Sequence, residues 1–346
     1  MRHFVTGGAG FFGIVLLEEI LAAGDEAVVF DVAPLDTKYR NHPRVRSFCG
    51  DVREKRAVEA AMQGCDVVHH MAAVLPISRA GKDFWNVNVR GTQNILDAAL
   101  QQKIRKVSFL STSAVYGIPN TVPITEATPL TPLGAYGRSK YEAECVCRNF
   151  RNAHGLDISI VRPRTILGPG RLGIFALLFE WIRSGKRVYI IGKGDNLFQF
   201  VSARDLARAV CLIGARPCRN EDFNIGAENF GTVRGDLEAL IAHAGTPARV
   251  QPLPALLVRS ILRPLDILRL SPLVDWHYRT PHKPFYFDVE KAKKHLGWHA
   301  QDGNVPMLIS SYEWYCSHRL SEASKEGKTH RTTVKQGILK IIRSLS

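Results

Sequence analysis

The first thirteen residues restrict this chain more than anything after them. The strand-like "RHFVT" runs into "GGAGFFG", which sets Gly7, Gly10 and Gly13 at a G-x-x-G-x-x-G spacing before the helical stretch "FFGIVLLEEILAAG". Strand, glycine turn and helix in that order form the entry to a dinucleotide-binding fold. The glycines permit a tight turn and let backbone approach a pyrophosphate at the helix N-terminus, where Phe11 and Phe12 lie in the first turn. The second strand, "EAVVFD", ends on Asp31. A carboxylate there accepts hydrogen bonds from ribose hydroxyls and repels a 2′-phosphate. Val32 and Ala33 follow it rather than arginine, which favours NAD over NADP, while Lys38 and Arg40 leave NADP open. Asp51, with Val52 beside it, follows the third strand "RVRSFCGD" and is a candidate for the adenine edge.

The alternation then continues. "REKRAVEAAMQG" reads as a helix, "CDVVHHMAA" as a buried strand, "WNVNVRGTQNILDAALQQ" as a long helix and "KVSFLSTS" as the next strand. The helix "GRSKYEAECVCRNFRNAHG" and the strand "DISIVRP" complete the series. Strands separated by helices pair in parallel, because each crossover returns the chain to the same end of the sheet. The expected fold is α/β, a doubly wound parallel sheet of the Rossmann type with a smaller C-terminal substrate-binding lobe. The rhythm breaks near residue 165. We expect residues 1–165 to form the NAD-binding domain, with a return to it at about 197–225. Residues 166–196 and 226–318 would form the lobe, and 319–346 a basic amphipathic tail.

The chain has 346 residues, is 45% hydrophobic and carries a net charge of +14. Such a charge often marks nucleic-acid or headgroup binding. Here it is concentrated late, in "RSILRPLDILRL" and "KEGKTHRTTVKQGILKIIRS", with no zinc-finger, helix-turn-helix or RNA-recognition pattern, so no nucleic-acid partner is expected. The seven cysteines include no CxxC pair, and we expect reduced thiols and no metal. The sequence opens on a strand without a secretory pattern and has no long apolar run, which predicts a cytoplasmic protein.

"AYGRSK" sets Tyr136 and Lys140 four residues apart, on one face of a helix. An ammonium near a phenol favours the phenolate and brings it toward use as a proton acceptor. On its own the spacing is equally that of an ordinary surface pair.

With "TGGAGFFG", "GDVRE", "HHMAA", "NVNVRGTQNILDAA", "STSAVYG", "YGRSK", "VRPRTILGPG" and "FYFDVEKAKKHLGW", the chain resembles the extended short-chain dehydrogenase/reductase family, the NAD-dependent epimerase/dehydratase group, over about residues 3–316. The resemblance implies Tyr136 as general acid/base and Lys140 as the residue that holds the nicotinamide ribose and lowers the phenol's pKa. It implies Thr112 as hydrogen-bond partner of the reacting hydroxyl, with Ser113 as its substitute. Ala72 and Ala73 would line the cofactor phosphates, and Asn88 would support the active-site strand. It also implies a homodimer.

The same resemblance separates reaction outcomes. Family dehydratases carry an Asp–Glu pair where this chain has Ser113 and Ala114, so dehydration is not expected. An epimerase needs no further group, and a dehydrogenase of a sugar or hydroxysteroid-like alcohol is the alternative. Nucleotide-sugar epimerases commonly have Arg–Asp where this chain has Phe198–Gln199; Arg171, Lys193 and His282 are candidate replacements for gripping substrate. The basic amphipathic segments around Arg259, Arg263 and Arg269, and in the tail at Val334, Ile338, Ile341, Ile342 and Leu345, suit an anionic membrane surface. The expected substrate is a nucleotide- or polyprenyl-diphosphate-linked sugar.

Overall fold

A computed structural model describes residues 1–75, 80–216, 220–267 and 278–318. Its centre is a seven-stranded sheet. In chain order the strands are β1 (Arg2–Thr6), β2 (Glu26–Asp31), β3 (Val45–Cys49), β4 (Val67–His70), β5 (Lys106–Leu110) and β6 (Ile158–Pro163). The short β7 (Thr165–Leu167), β8 (Arg187–Ile191) and β9 (Phe200–Ser202) follow, then β10 (Asp222–Ile225) and β11 (Arg249–Leu253). The main sheet runs β10-β6-β5-β4-β1-β2-β3, and every pairing in it is parallel. The strand order reverses between β1 and β4, which opens a crevice at their carboxyl ends.

Neighbouring residues of one strand face opposite layers, as the twofold period of a strand requires. Val5 and Val29 pack with Leu16, Leu17, Ile20 and the helix Ala203–Ala215. Phe4, Val28, Val68 and Phe109 pack on the other side with Val58, Ile95, Leu96 and Ala143, from the helices Lys55–Met62, Gly91–Gln101 and Gly134–His154. Both faces being covered explains why these strands read as nearly continuous apolar runs.

The chain re-enters the main sheet at β10. "FQFVS" does not do so: β9 pairs with β7 in a separate two-stranded ladder, and β8 pairs with β11 in another. These ladders and the helices Ile174–Arg183, Val233–Ala244 and Asn304–Ser317 share a third core around Phe179, Leu240, Met307 and Leu308. Gln199 joins this region to the sheet. It is fully buried, and its amide donates to the Ala227 carbonyl at 2.7 Å while its Oε1 accepts from the Phe287 N–H at 2.8 Å.

No described helix is long and apolar enough to cross a membrane. The segment around Arg269 and the tail from residue 319 lie outside the described residues.

Candidate active site

At the end of β1, Gly7 adopts φ +73° and donates its N–H to the Phe30 carbonyl at 2.9 Å. A Cβ there would stand 2.9 Å from the Ala72 nitrogen, so the turn after β4 can close on the glycine turn only because Gly7 is bare. Gly13 is fixed similarly: its Cβ would lie 2.4 Å from the Gly7 carbonyl oxygen. The helix Phe11–Ala22 starts at Gly10 with no side-chain cap and no acidic residue in its first turn. The N–H groups of Phe11, Phe12 and Gly13 are the ones a helix leaves unpaired at this end. A bare, uncapped, acid-free helix start beside two glycine-shaped contacts fits the pyrophosphate of NAD.

Asp31 is held at the rim, with Oδ2 accepting from the Ala9 N–H at 3.0 Å and Oδ1 from Ala33 at 2.9 Å. Asp51 is differently engaged. Arg53 reaches its Oδ2 at 2.6 Å and holds the carboxyl below the usual range, so an adenine amino group would share it with Arg53. Val52 is buried and meets Gly91.

A buried relay supports the turn that carries Ala72 and Ala73. The Thr6 hydroxyl oxygen accepts from the N–H groups of Met71 and Ala72, both at 3.1 Å. Its proton therefore goes to His70 Nδ1 at 2.7 Å. The Thr92 hydroxyl donates to the Asn88 carbonyl at 2.7 Å, so its oxygen accepts from His70 Nε2 at 3.0 Å. This fixes the neutral tautomer of His70, and burial pulls its pKa down to about 3. Asn88 continues the chain: Oδ1 accepts from Val74 at 2.8 Å, and Nδ2 donates to the Ser139 hydroxyl at 2.9 Å. Ser139 in turn donates to the Tyr136 carbonyl at 2.9 Å. Asn88 thus ties the phosphate turn to the helix that bears Tyr136.

Thr112, Tyr136 and Lys140 converge where β5 ends. Thr112 caps the 3₁₀ turn Ser113–Tyr116, its oxygen accepting from the Ala114 N–H at 3.2 Å. That leaves its proton for Tyr136, whose ionised form the Thr112 hydroxyl favours. Tyr136 lies in the first turn of the helix Gly134–His154, edge-on to Phe84. Burial pushes its phenol up to about 12, against the pull of the Thr112 hydroxyl and the charge of Arg171. Lys140 is buried one turn on. Its ammonium donates to the Leu110 carbonyl at 2.7 Å and lies 4.1 Å from the Phe109 ring centre, and burial brings its pKa down to about 8. Arg171, supplied by the segment after β7, adds its charge to the Thr112 hydroxyl in opposing the rise of the phenol.

Arg171 is buried between the rings of Phe11 and Phe175, at 5.8 and 5.7 Å from their centres. A second arginine, not singled out by sequence, enters from the β6–β7 junction. Arg164 is 1% exposed, donates to the Ser113 hydroxyl at 3.1 Å, and stands 4.8 Å from the centre of the Phe198 ring. The available signal was "VRPRT", two arginines either side of a proline within an otherwise apolar run. His282 is part-buried with an unpaired Nδ1, whereas Lys193 contributes its carbonyl to Arg234.

Known proteins resemble this chain over most of its length. The model of the NAD dependent epimerase/dehydratase family matches residues 3–226. An uncharacterized Sinorhizobium fredii protein, y4nG, is 37% identical over 338 residues, covering 98% of this chain and 84% of that protein. A UDP-glucose 4-epimerase of Streptomyces lividans is 27% identical over 343 residues, 92% of this chain and 97% of its own. Among solved structures, a double mutant of the dTDP-glucose 4,6-dehydratase DesIV from Streptomyces venezuelae, with NAD bound, superposes with a TM-score of 0.76 at 26% identity over 92% of this chain and 98% of its own. The glycine-shaped phosphate turn and the reversed sheet order have their explanation in this kinship: the chain belongs to the NAD dependent epimerase/dehydratase family.

Proposed function

We propose that this protein is a sugar epimerase that oxidises a substrate carbinol transiently and reduces it again from the opposite face. The observation that carries the reading is the convergence of Thr112, Tyr136 and Lys140 at the carboxyl end of the sheet, with no carboxylate at Ser113 or Ala114. Bound NAD supplies a hydride acceptor and donor. Tyr136 takes the carbinol proton and later returns it. Thr112 steadies the phenolate and the substrate oxygen through one hydroxyl. Lys140 would hold the cofactor ribose. Without an acid after Thr112, elimination of water has no proton donor in this turn.

The substrate in this proposal is a sugar linked through a diphosphate to a nucleotide or a polyprenyl chain. Peripheral membrane contact is part of the reading. The helix Ala255–Ile267 exposes Leu256, Leu257 and Ile261, at 77%, 52% and 52%, beside Arg259 and Arg263. A helix of that kind suits anionic headgroups. We also infer a cytoplasmic homodimer.

The test incubates the purified full-length chain with NAD and UDP-sugars. Epimer formation without accumulating NADH supports the proposal, and stoichiometric NADH would establish the dehydrogenase alternative. Tyr136→Phe should abolish turnover while NAD still binds, and retained turnover in that variant would remove the mechanism. Flotation with phosphatidylglycerol vesicles, comparing the wild type with Leu256→Ser/Ile261→Ser, tests the membrane contact; equal recovery of both rejects it.

A further inference from the structure

Two cations stand at the candidate active site without anionic partners among the described residues. Arg164 leaves Nε and Nη2 buried and unbonded, and Arg171 leaves Nε and Nη1 so. Neither forms an ion pair with a described carboxylate, and burial alone governs the acidity of Arg164, bringing it to about 9. Arg171 is brought to the same value, opposed only by Tyr136. Both remain guanidinium ions at neutral pH. A buried charge is ordinarily paired, and a buried donor bonded. Arg162, as buried as Arg164, obeys that rule by holding Glu144 and Asp222.

Their placement is specific. The Arg164 side chain donates to Ser113, next to Thr112, while Arg171 is the charge felt by Tyr136. Between them runs a wall of rings, from Phe198 to Phe200 at 5.3 Å and from Phe200 to Phe175 at 6.0 Å. The wall has no charge of its own, and an arginine lies against each end of it.

We propose that Arg164 and Arg171 form a subsite for a carboxylate carried by the sugar next to the oxidised carbon, so that the substrate is an acidic sugar rather than a neutral hexose. This rests on the epimerase reading above and refines it. A carboxylate two bonds from the carbinol carbon would sit close to the Tyr136 hydroxyl, which feels the charge of Arg171 and adjoins the Thr112–Ser113 turn that Arg164 reaches. Guanidinium binds carboxylate through paired hydrogen bonds, which would use the unbonded donors of both residues. The diphosphate linking the sugar to its carrier is the other anion of such a substrate. It lies across the ring from that carbinol, and the experiment separates the two.

Binding of UDP-glucuronic acid, UDP-glucose and UDP to the NAD-loaded Tyr136→Phe protein would be measured by titration calorimetry. These affinities are read whether or not turnover occurs, so loss of the epimerase reading and loss of this one are told apart. The expected result is tighter binding of UDP-glucuronic acid than of UDP-glucose. Adding Arg171→Gln or Arg164→Gln should weaken UDP-glucuronic acid by about 10- to 150-fold, the range for hydrogen bonds to a charged group. UDP should be little affected, and Arg171→Lys should restore part of the loss. If UDP weakens as much as UDP-glucuronic acid, the arginines grip the diphosphate and the proposal falls. It falls equally if the wild-type site does not prefer the acid. NAD affinity and thermal denaturation of each variant establish that it is folded.

Discussion

Glu144 is the place where the catalytic helix is most exposed to a single change. It lies on the helix Gly134–His154, one turn beyond Lys140, with no solvent access. Its Oε1 accepts from Ser111 at 2.5 Å and from Arg162 Nε at 2.9 Å. Its Oε2 accepts from Arg162 at 2.8 Å and from Arg148 at 2.7 Å. Arg162 in turn donates to the Tyr116 hydroxyl at 3.0 Å and to Asp222 at 2.8 Å. Glu144→Gln preserves shape but exchanges one acceptor oxygen for a donor facing a guanidinium. Breaking a buried pair from one side costs about 3–5 kcal/mol. At ~2.1 cal/mol/K per residue, a chain of this length has an unfolding entropy near 0.7 kcal/mol/K, so Tm should fall by roughly 4–7 °C. Asp222→Asn should cost less, because that carboxylate is 18% exposed. Calorimetric melts of both single variants, and a cycle combining Glu144→Gln with Arg162→Gln, measure these quantities. A coupling energy near zero, or a larger loss for Asp222→Asn, would refute the assignment of Glu144 as the anchor of the helix.

Thr112→Val removes the hydroxyl that steadies the Tyr136 phenolate. Turnover should fall by about 10- to 100-fold with the pH–rate profile displaced upward, and an unmoved profile would show that Thr112 does not act on the phenol. Asn88→Asp keeps the acceptor for Val74 but loses the donor to Ser139; kcat should drop about tenfold with KM nearly constant, as expected of a residue that positions Tyr136 through its backbone. Acid should destabilise the fold through its buried histidines. Burial depresses His69 and His70, so the folded state binds fewer protons than the unfolded chain below pH ~6.5. Stability is therefore full above that value and declines as pH falls, by about 3 kcal/mol between pH 6.5 and 5 for the two together. Urea unfolding at those pH values should show the decline, and a smaller decline in His70→Gln.

Much of this was legible in the sequence because local chemistry and long-range geometry agreed. The spacing is readable because the missing Cβ atoms of Gly10 and Gly13 answer backbone of the turn itself, while that of Gly7 answers the turn after β4. Asp31 is readable because it ends a strand. The β9 segment was not, since a three-residue strand pairs wherever its neighbours allow, and its partner is β7. Arg164 and Arg162 illustrate the remaining limit. They sit two residues apart in "VRPRT" with nothing local to distinguish them. Strand alternation cannot separate them either, since positions two apart share a face. Only Glu144 and Asp222, brought in from other elements, pair one of them and leave the other unpaired.

The contrast between these two arginines also bears on how the phenol can work. Burial holds the Tyr136 phenol up, and the ammonium of Lys140 is turned to a backbone carbonyl and a ring. What lowers the phenol in this state is one hydroxyl and the unpaired Arg171. A fully paired cation would be electrostatically quiet at that distance, because its counter-ion cancels its field. An Arg171 unpaired among the described residues therefore serves the acidity of Tyr136 and the capture of an anion by the same means. It also sets a limit: a substrate carboxylate that neutralises Arg171 weakens its hold on the phenolate, so Thr112 and Lys140 must carry more of the proton transfer once the site is filled.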